Sequence, residues 1–247
     1  MFDNQQEKVS HANSSSSFKT HTSRRVTKLV DILSARTYLE VGVFEGITFN
    51  DIRIEKKVAV DPLFRFDTSM HSIVDQVEFV QKPSDQYFLD LASSLKFDIV
   101  FLDGLHTYQQ TLRDLLNTIA HCHDKSVIII DDVWPVDIFS SLPQSLDAHE
   151  FRRMSGGNSL AWHGDVYKAV FFVHDFIPWL NYCTIENGGN PQTLLWHSPR
   201  NSFTPRFNNT EIIERLGYVD LHRNKDIMNF VSESQAFTSV EQALCGT

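Results

Sequence analysis

Over the first 135 residues, short apolar blocks alternate with longer stretches of helical spacing. Val26, Leu29, Val30 and Leu33 fall on one face of a helix predicted over 24–35. Thr37 to Gly42 reads as a short buried strand, and Gly46 precedes a helix beginning near Ile47. Val58–Asp61 and Val77–Val80 read as two more strands, stopped by Pro62 and Pro83. Phe97–Leu102 is a fourth, ending at Asp103. A helix follows with Tyr108, Leu112, Leu115, Leu116 and Ile119 on one face. Ser126–Ile130 is a fifth, ending at Asp131 and Asp132. Strands of nearly continuous Val, Ile and Leu that alternate with helices predict a doubly wound α/β fold with a mostly parallel sheet, buried on both faces.

Beyond residue 135 the pattern loosens. Residues 136–163 predict a loop or lid, with Gly156-Gly157 as its hinge. A helix is expected over Asp165–Phe176, stopped by Pro178. Asn181–Ile185 and Thr193–Trp196 pair as an antiparallel hairpin across Asn187-Gly-Gly-Asn-Pro191, giving seven strands in all. The organisation expected is a flexible arm over 1–23, a domain over 24–200 and a polar extension over 201–247 with one helix near Thr210–Leu216. The arm is polar and includes Ser14 to Ser17.

Composition narrows the function classes. The 247 residues carry 22 basic and 31 acidic side chains, a net charge of −9 with no dense Lys/Arg run, which disfavours nucleic acid as a partner. Cys122, Cys183 and Cys245 are far apart, so neither a zinc site nor a disulfide framework is expected, and a reducing cytoplasm fits. No apolar run approaches the roughly 20 residues of a membrane span, and no signal peptide is seen. A small-molecule partner is expected, and a homo-oligomer stays open.

The candidate chemistry sits at the predicted strand ends. In Glu40-Val-Gly-Val-Phe-Glu-Gly46, Gly42 and Gly46 permit a tight turn under a ligand. The middle glycine of a dinucleotide fingerprint would fall at Phe44, where close approach by a pyrophosphate is blocked, which counts against NAD(P). Asp61 either accepts from ribose hydroxyls or caps a turn before Pro62. Ser84 and Asp85 either meet an adenine or cap the next helix. Asp103, Asp131 and Asp132 end neighbouring strands and converge. Such carboxylates repel one another unless a cation is present, and hard oxygen ligands suit Mg²⁺ or a similar divalent ion. The other reading is one cofactor-contacting aspartate and two loop caps. His106 and His163 are candidate general bases, beside Asp103 and Asp131 as catalytic carboxylates.

Tyr38–Asn50, Val60-Asp61-Pro62, Phe97–Tyr108 with its Asp-Gly-x-His-x-Tyr segment, and Ile128–Asp132 together resemble the class I S-adenosylmethionine-dependent methyltransferases grouped as family 24. Gly164-Asp-Val-Tyr-Lys168 resembles a segment of a glycan-linked subgroup, and a terminal antiparallel hairpin is the usual ending of the class I sheet. The resemblance spans about 25–196. It implies a Rossmann-like methyltransferase fold and S-adenosylmethionine held by Glu40, Gly42 and Asp61, beside which Gly46, Ser84, Asp85 and Asp103 are the further cofactor-site candidates. It implies metal ligation by Asp103, Asp131 and Asp132, and O-methylation of a sugar or other small hydroxylated acceptor, including glycan precursors. Some relatives carry His-Asp where this chain has Asp131-Asp132 and need no metal. An NAD(P)-dependent oxidoreductase or a non-catalytic nucleotide-binding module on the same fold are the competing readings.

Overall fold

A computed structural model describes residues 18–70, 76–92 and 94–246. Most of the arm expected over 1–23 lies outside the described residues. Its last part, however, already belongs to the first helix, α1 (His21–Leu33), three residues ahead of the expected start. The reason is a capping box. The Thr20 hydroxyl accepts from the Ser23 amide at 2.9 Å, and the Ser23 side chain answers to the Thr20 backbone.

The five parallel strands are β1 (Thr37–Val41), β2 (Lys56–Val60), β3 (Gln76–Val80), β4 (Phe97–Leu102) and β5 (Cys122–Ile130). Helices α2 (Ile47–Asp51), α3 (Ser84–Asp90) and α4 (Tyr108–Ala120) connect them. After α5 (Ser145–Met154) and α6 (Tyr167–Phe176), the hairpin forms as β6 (Leu180–Ile185) and β7 (Gln192–His197). The chain then runs through α7 (Thr210–Arg215), α8 (Tyr218–Arg223), a short β8 (Phe230–Val231) and α9 (Glu233–Leu244). The sheet order is β3-β2-β1-β4-β5-β7-β6-β8, with β7 antiparallel to both neighbours and β8 parallel to β6. The sheet therefore has eight strands rather than seven. The extra one is two residues long, too short to show as a period in the sequence.

Alternation along each strand builds two cores. Leu39, Val41, Val58, Val60, Val100, Leu102, Ile128 and Ile130 face α3, α4, α6 and α7. Tyr38, Ala59, Ile99, Phe101, Val127 and Ile129 face α1, α2 and α9. Fully burying one such aliphatic side chain stabilises the fold by about 1.5–3 kcal/mol. The segment after 200 is more than a polar extension. Ala236, Phe237, Val240 and Leu244 of α9 join the second core beside Val26 and Leu29 of α1.

The stretch 136–163 also differs from a plain loop, because it contains α5. Arg152, 3% exposed, reaches back to the Asp137 carboxylate at 2.8 Å and to the Ser159 carbonyl at 2.9 Å, pinning both flanks of the helix. Gly156, at φ +83°, and Gly157 close its last turn, with the Gly157 amide donating to the Arg152 carbonyl at 2.9 Å. In this structure they cap a helix.

Candidate active site

The carboxyl ends of β1, β2, β4 and β5 open into one cleft of about 1030 Å³, where ligands bind in open α/β sheets. Its floor is the turn after β1. Gly42 lies at φ +85°, and a Cβ there would fall 1.9 Å from the Asp103 carbonyl oxygen, so only glycine lets the turns after β1 and β4 touch. Gly46, at φ +69°, starts α2, and Phe44 between them is itself left-handed at φ +49° and 60% exposed.

Asp61 holds this turn from beneath. Its Oδ2 accepts from the Val43 and Phe44 amides at 2.8 and 2.9 Å, and its Oδ1 from the Leu63 amide at 2.7 Å. The carboxylate still lines the cleft and keeps lone pairs for further donors. Glu40 lies deeper and is buried, with the Tyr38 hydroxyl donating to it at 2.6 Å. Burial, opposed by that hydrogen bond, pushes its carboxyl up to about 8. Ser84 and Asp85 start α3 at the far end of the cleft. Both accept from the Gln110 amide of α4, at 3.1 and 3.2 Å, and Asp85 is half-exposed and paired with Arg113 at 3.3 Å.

The opposite wall is a cluster of side chains around Asp132, which sits at φ +57° after β5. His106 lies between two carboxylates. Its Nδ1 is 3.0 Å from Asp132 Oδ2, and its Nε2 is 3.4 Å from Asp103 Oδ1. Its ring stacks on Trp162 with centroids 4.9 Å apart. Burial opposes charge on His106, but the two carboxylates outweigh it and raise its pKa to about 11. Burial pushes Asp103 up to about 6 against the pull of His106. Asp132 is held below the usual carboxylate range because His106 outweighs the cost of its burial. His163 is buried, with Nε2 3.8 Å from Asp132 Oδ1, and burial lowers its pKa.

Asp131 plays a different part from its two neighbours. Its Oδ1 accepts from the Asp132 amide at 2.8 Å and from the Asn190 side chain at 2.7 Å, and its Oδ2 from Gln192 at 3.0 Å. Asn190 also donates to Asp132 at 2.8 Å. The donor atoms that converge to within 4.8 Å of one another belong to Asp103, His106 and Asp132, so His106 stands where the sequence suggested Asp131. Burial, with Asp103 and Asp132 close by, raises Asp131 well above its ordinary value, which suits a buried hydrogen-bonding group.

Residues 39–133, which span β1 through β5 and every strand-end carboxylate above, match the family model described as a methyltransferase domain, Methyltransf_24. Across that stretch the chain resembles the methyltransferase domains of this family. Solved structures are similar to the chain over about 70% of its length. The plantazolicin methyltransferase BpumL, in complex with a monoazolic desmethylPZN analog and S-adenosylhomocysteine, is 10% identical over 72% of this chain and 83% of its own, with a TM-score of 0.50. Cofactor-bound Rv0187 from MTB is 18% identical over 72% and 80%, with a TM-score of 0.49. The O-methyltransferase from Bacillus cereus, in complex with S-adenosylhomocysteine, is 15% identical over 70% and 80%, with a TM-score of 0.44. No curated protein matches the sequence.

Several residues that support the cleft wall from behind had no signal in the sequence. Asn190 and Gln192 belong to the hairpin turn and β7, and behind them stands Arg25 of α1, fully buried. Arg25 donates to the Gln192 side chain and the Asn190 carbonyl, both at 2.7 Å, to the Asn187 carbonyl at 2.8 Å and to Glu233 at 3.1 Å. The Gly164–Lys168 motif lies behind the cleft wall. A Cβ on Gly164 would meet the His106 carbonyl at 1.5 Å. Asp165 caps α4 by accepting the Tyr108 amide at 2.7 Å, and Lys168 ties Asp165 to the Glu214 carbonyl. That motif is a clamp on the His106 loop.

Proposed function

We propose that this domain transfers the methyl group of S-adenosylmethionine to a hydroxyl oxygen of a small acceptor such as a sugar or glycan precursor. The observation that carries the proposal is the single cleft joining the Gly42 turn and Asp61 to Asp103, His106 and Asp132. When bound, the cofactor supplies an electrophilic methyl group on a cationic sulfur. The residues present fit it. The glycine turn leaves the cleft floor open, Asp61 offers lone pairs at the height of a ribose, and Glu40, Ser84, Asp85 and Asp103 ring the same space, while Gly46 serves the turn behind it, where a Cβ would meet Phe66. The exposed Phe44 side chain, at the position a dinucleotide fingerprint reserves for glycine, argues against NAD(P).

On the opposite wall, Asp132 is the carboxylate held ionised, and it would take up the proton of an acceptor hydroxyl placed beside it. His106 keeps Asp103 and Asp132 apart and orients both, and the Trp162 stack fixes its ring. Two carboxylates and an imidazole also fit a divalent cation, which would be held by Asp103 and Asp132 with His106 beside them. When bound there, it would polarise the acceptor oxygen. Among the described residues no helix is long and apolar enough to cross a membrane.

Calorimetric titration with S-adenosylhomocysteine tests the reading. Binding in the micromolar range is expected. The absence of both heat and a thermal shift would overturn the cofactor assignment.

A further inference from the structure

The cleft is acidic where it meets the cofactor and apolar where it faces away from it. Seven carboxylate side chains line it and, among the described residues, no lysine or arginine does. Arg113 belongs to the adjoining depression and is already bound to Asp85 and to Gln110. Beyond Asp103 and Asp132 the wall is made by Leu105, 58% exposed, Leu160, 78% exposed, and Trp162. His149, which shares that wall, is tied to the Leu160 carbonyl at 3.2 Å.

We propose that the acceptor is an uncharged or cationic molecule that presents an apolar face beside its hydroxyl group, and that phosphorylated, nucleotide-linked and coenzyme A-linked acceptors are excluded. This rests on the methyltransferase reading of the cleft. A phosphate entering this space meets Asp132 and Asp85 with no guanidinium or ammonium free to pair with it, since the His106 imidazole is already held between Asp103 and Asp132, and like charges placed together in a partly desolvated site select against a ligand. Sites that take phosphates supply the reverse, namely basic side chains or backbone amides aimed at the oxygens. The exposed Leu105 and Leu160 side chains on the acceptor side gain most from covering an apolar surface.

The test uses the full chain loaded with S-adenosylhomocysteine, with and without Mg²⁺. It is titrated with octyl glucoside, octyl phosphate, coenzyme A and a uridine diphosphate sugar. The neutral glycoside is expected to bind at least about 10-fold more tightly than its phosphate counterpart, with no binding of the two nucleotides at millimolar concentration. Micromolar binding of either nucleotide, or a preference for octyl phosphate, overturns the proposal. Failure of S-adenosylhomocysteine itself to bind refutes the underlying reading instead, and is seen before any acceptor probe is added. In a second arm, methyl-labelled cofactor is incubated with a small-molecule extract separated on an anion-exchange resin. Label is expected in the unretained fraction, and label confined to the retained fraction overturns the proposal.

Discussion

On the cofactor wall, Asp61 is held by backbone amides at most 18 positions away in sequence. On the opposite wall, Asp131 and Asp132 are held by side-chain amides 58 to 61 positions away, and those amides are held in turn by Arg25 near the start of the described chain. Both walls solve the same problem, because a buried carboxylate without donors is costly. The first solution is written into a tight β-to-α turn and comes with the fold. The second depends on individual side chains from distant elements, so it can be altered piece by piece. The cofactor wall should therefore tolerate remote substitution, and the acceptor wall should not.

The strongest way to break that comparison is Arg25→Met. It leaves Glu233, the Gln192 side-chain oxygen and the Asn187 and Asn190 carbonyls without their shared donor. Removing one partner of a buried charge network costs about 3–5 kcal/mol. Urea unfolding is expected to show a loss of that size. A loss below about 1 kcal/mol would mean that the hairpin turn holds its shape without α1.

Glu40 gives the next largest effect, and its sign is fixed by burial. Its folded-state pKa of about 8 lies above its ordinary 4.5, so the folded protein binds the extra proton between those values. Stability from this group is complete below about pH 4.5 and is lost as pH rises toward and through 8. Glu40→Gln should remove the loss. The variant should gain on the wild type by an amount on the order of 3 kcal/mol between pH 5 and pH 9, read from melting temperatures across that range. Parallel profiles for the two proteins would show that Glu40 is ionised in the fold.

These two residues also show how far the sequence can be read. Glu40, Gly42, Asp61 and Asp103 were legible because each ends a strand whose apolar run is continuous, and strand order follows from the alternation with helices. Their convergence needs only local geometry. Arg25 was not legible, since an arginine on an amphipathic helix ordinarily faces water, and nothing at position 25 marks its burial against a turn 165 residues away. The hairpin was visible as two apolar runs, but the work of Asn190 and Gln192 was hidden in what looked like ordinary turn chemistry. Helix α5 was missed because its apolar residues Leu146, Phe151 and Met154 are exposed rather than gathered on one buried stripe. Spacing grouped Asp131 with Asp103 and Asp132, whereas the structure brings His106 to those two and turns Asp131 toward Asn190 and Gln192. Spacing shows that carboxylates gather, whereas only packing shows which of them is already satisfied.

Asp61→Ala sharpens the comparison from the other side. It removes three amide contacts from the turn together with the expected ribose contact, and hydrogen bonds to a charged group contribute about 1.5–3 kcal/mol. S-adenosylhomocysteine should bind roughly 10- to 150-fold more weakly, measured by calorimetry. Unchanged affinity would place the cofactor elsewhere in the cleft.

The smallest expected effect on S-adenosylhomocysteine affinity is the most discriminating. Asp132→Asn keeps the size of the side chain and its contact with Asn190, but removes the charge that His106 faces at 3.0 Å. If the two walls are independent, S-adenosylhomocysteine affinity should stay within about 3-fold of wild type, less than about 0.7 kcal/mol. Turnover on any accepted hydroxyl compound should fall by about 100-fold or more, the scale of removing a positioned proton acceptor. Divalent-ion affinity should fall with it, since a neutral amide is a poorer hard-oxygen ligand than a carboxylate. Comparing Asp132→Asn with Asp131→Asn separates reaction from architecture. Asp131 is enclosed by Asn190, Gln192 and the Asp132 amide, so its amide variant places two donor groups against each other, and it should lower the melting temperature more than Asp132→Asn does. A variant at Asp132 that loses cofactor binding in step with turnover would show that the two walls act as one.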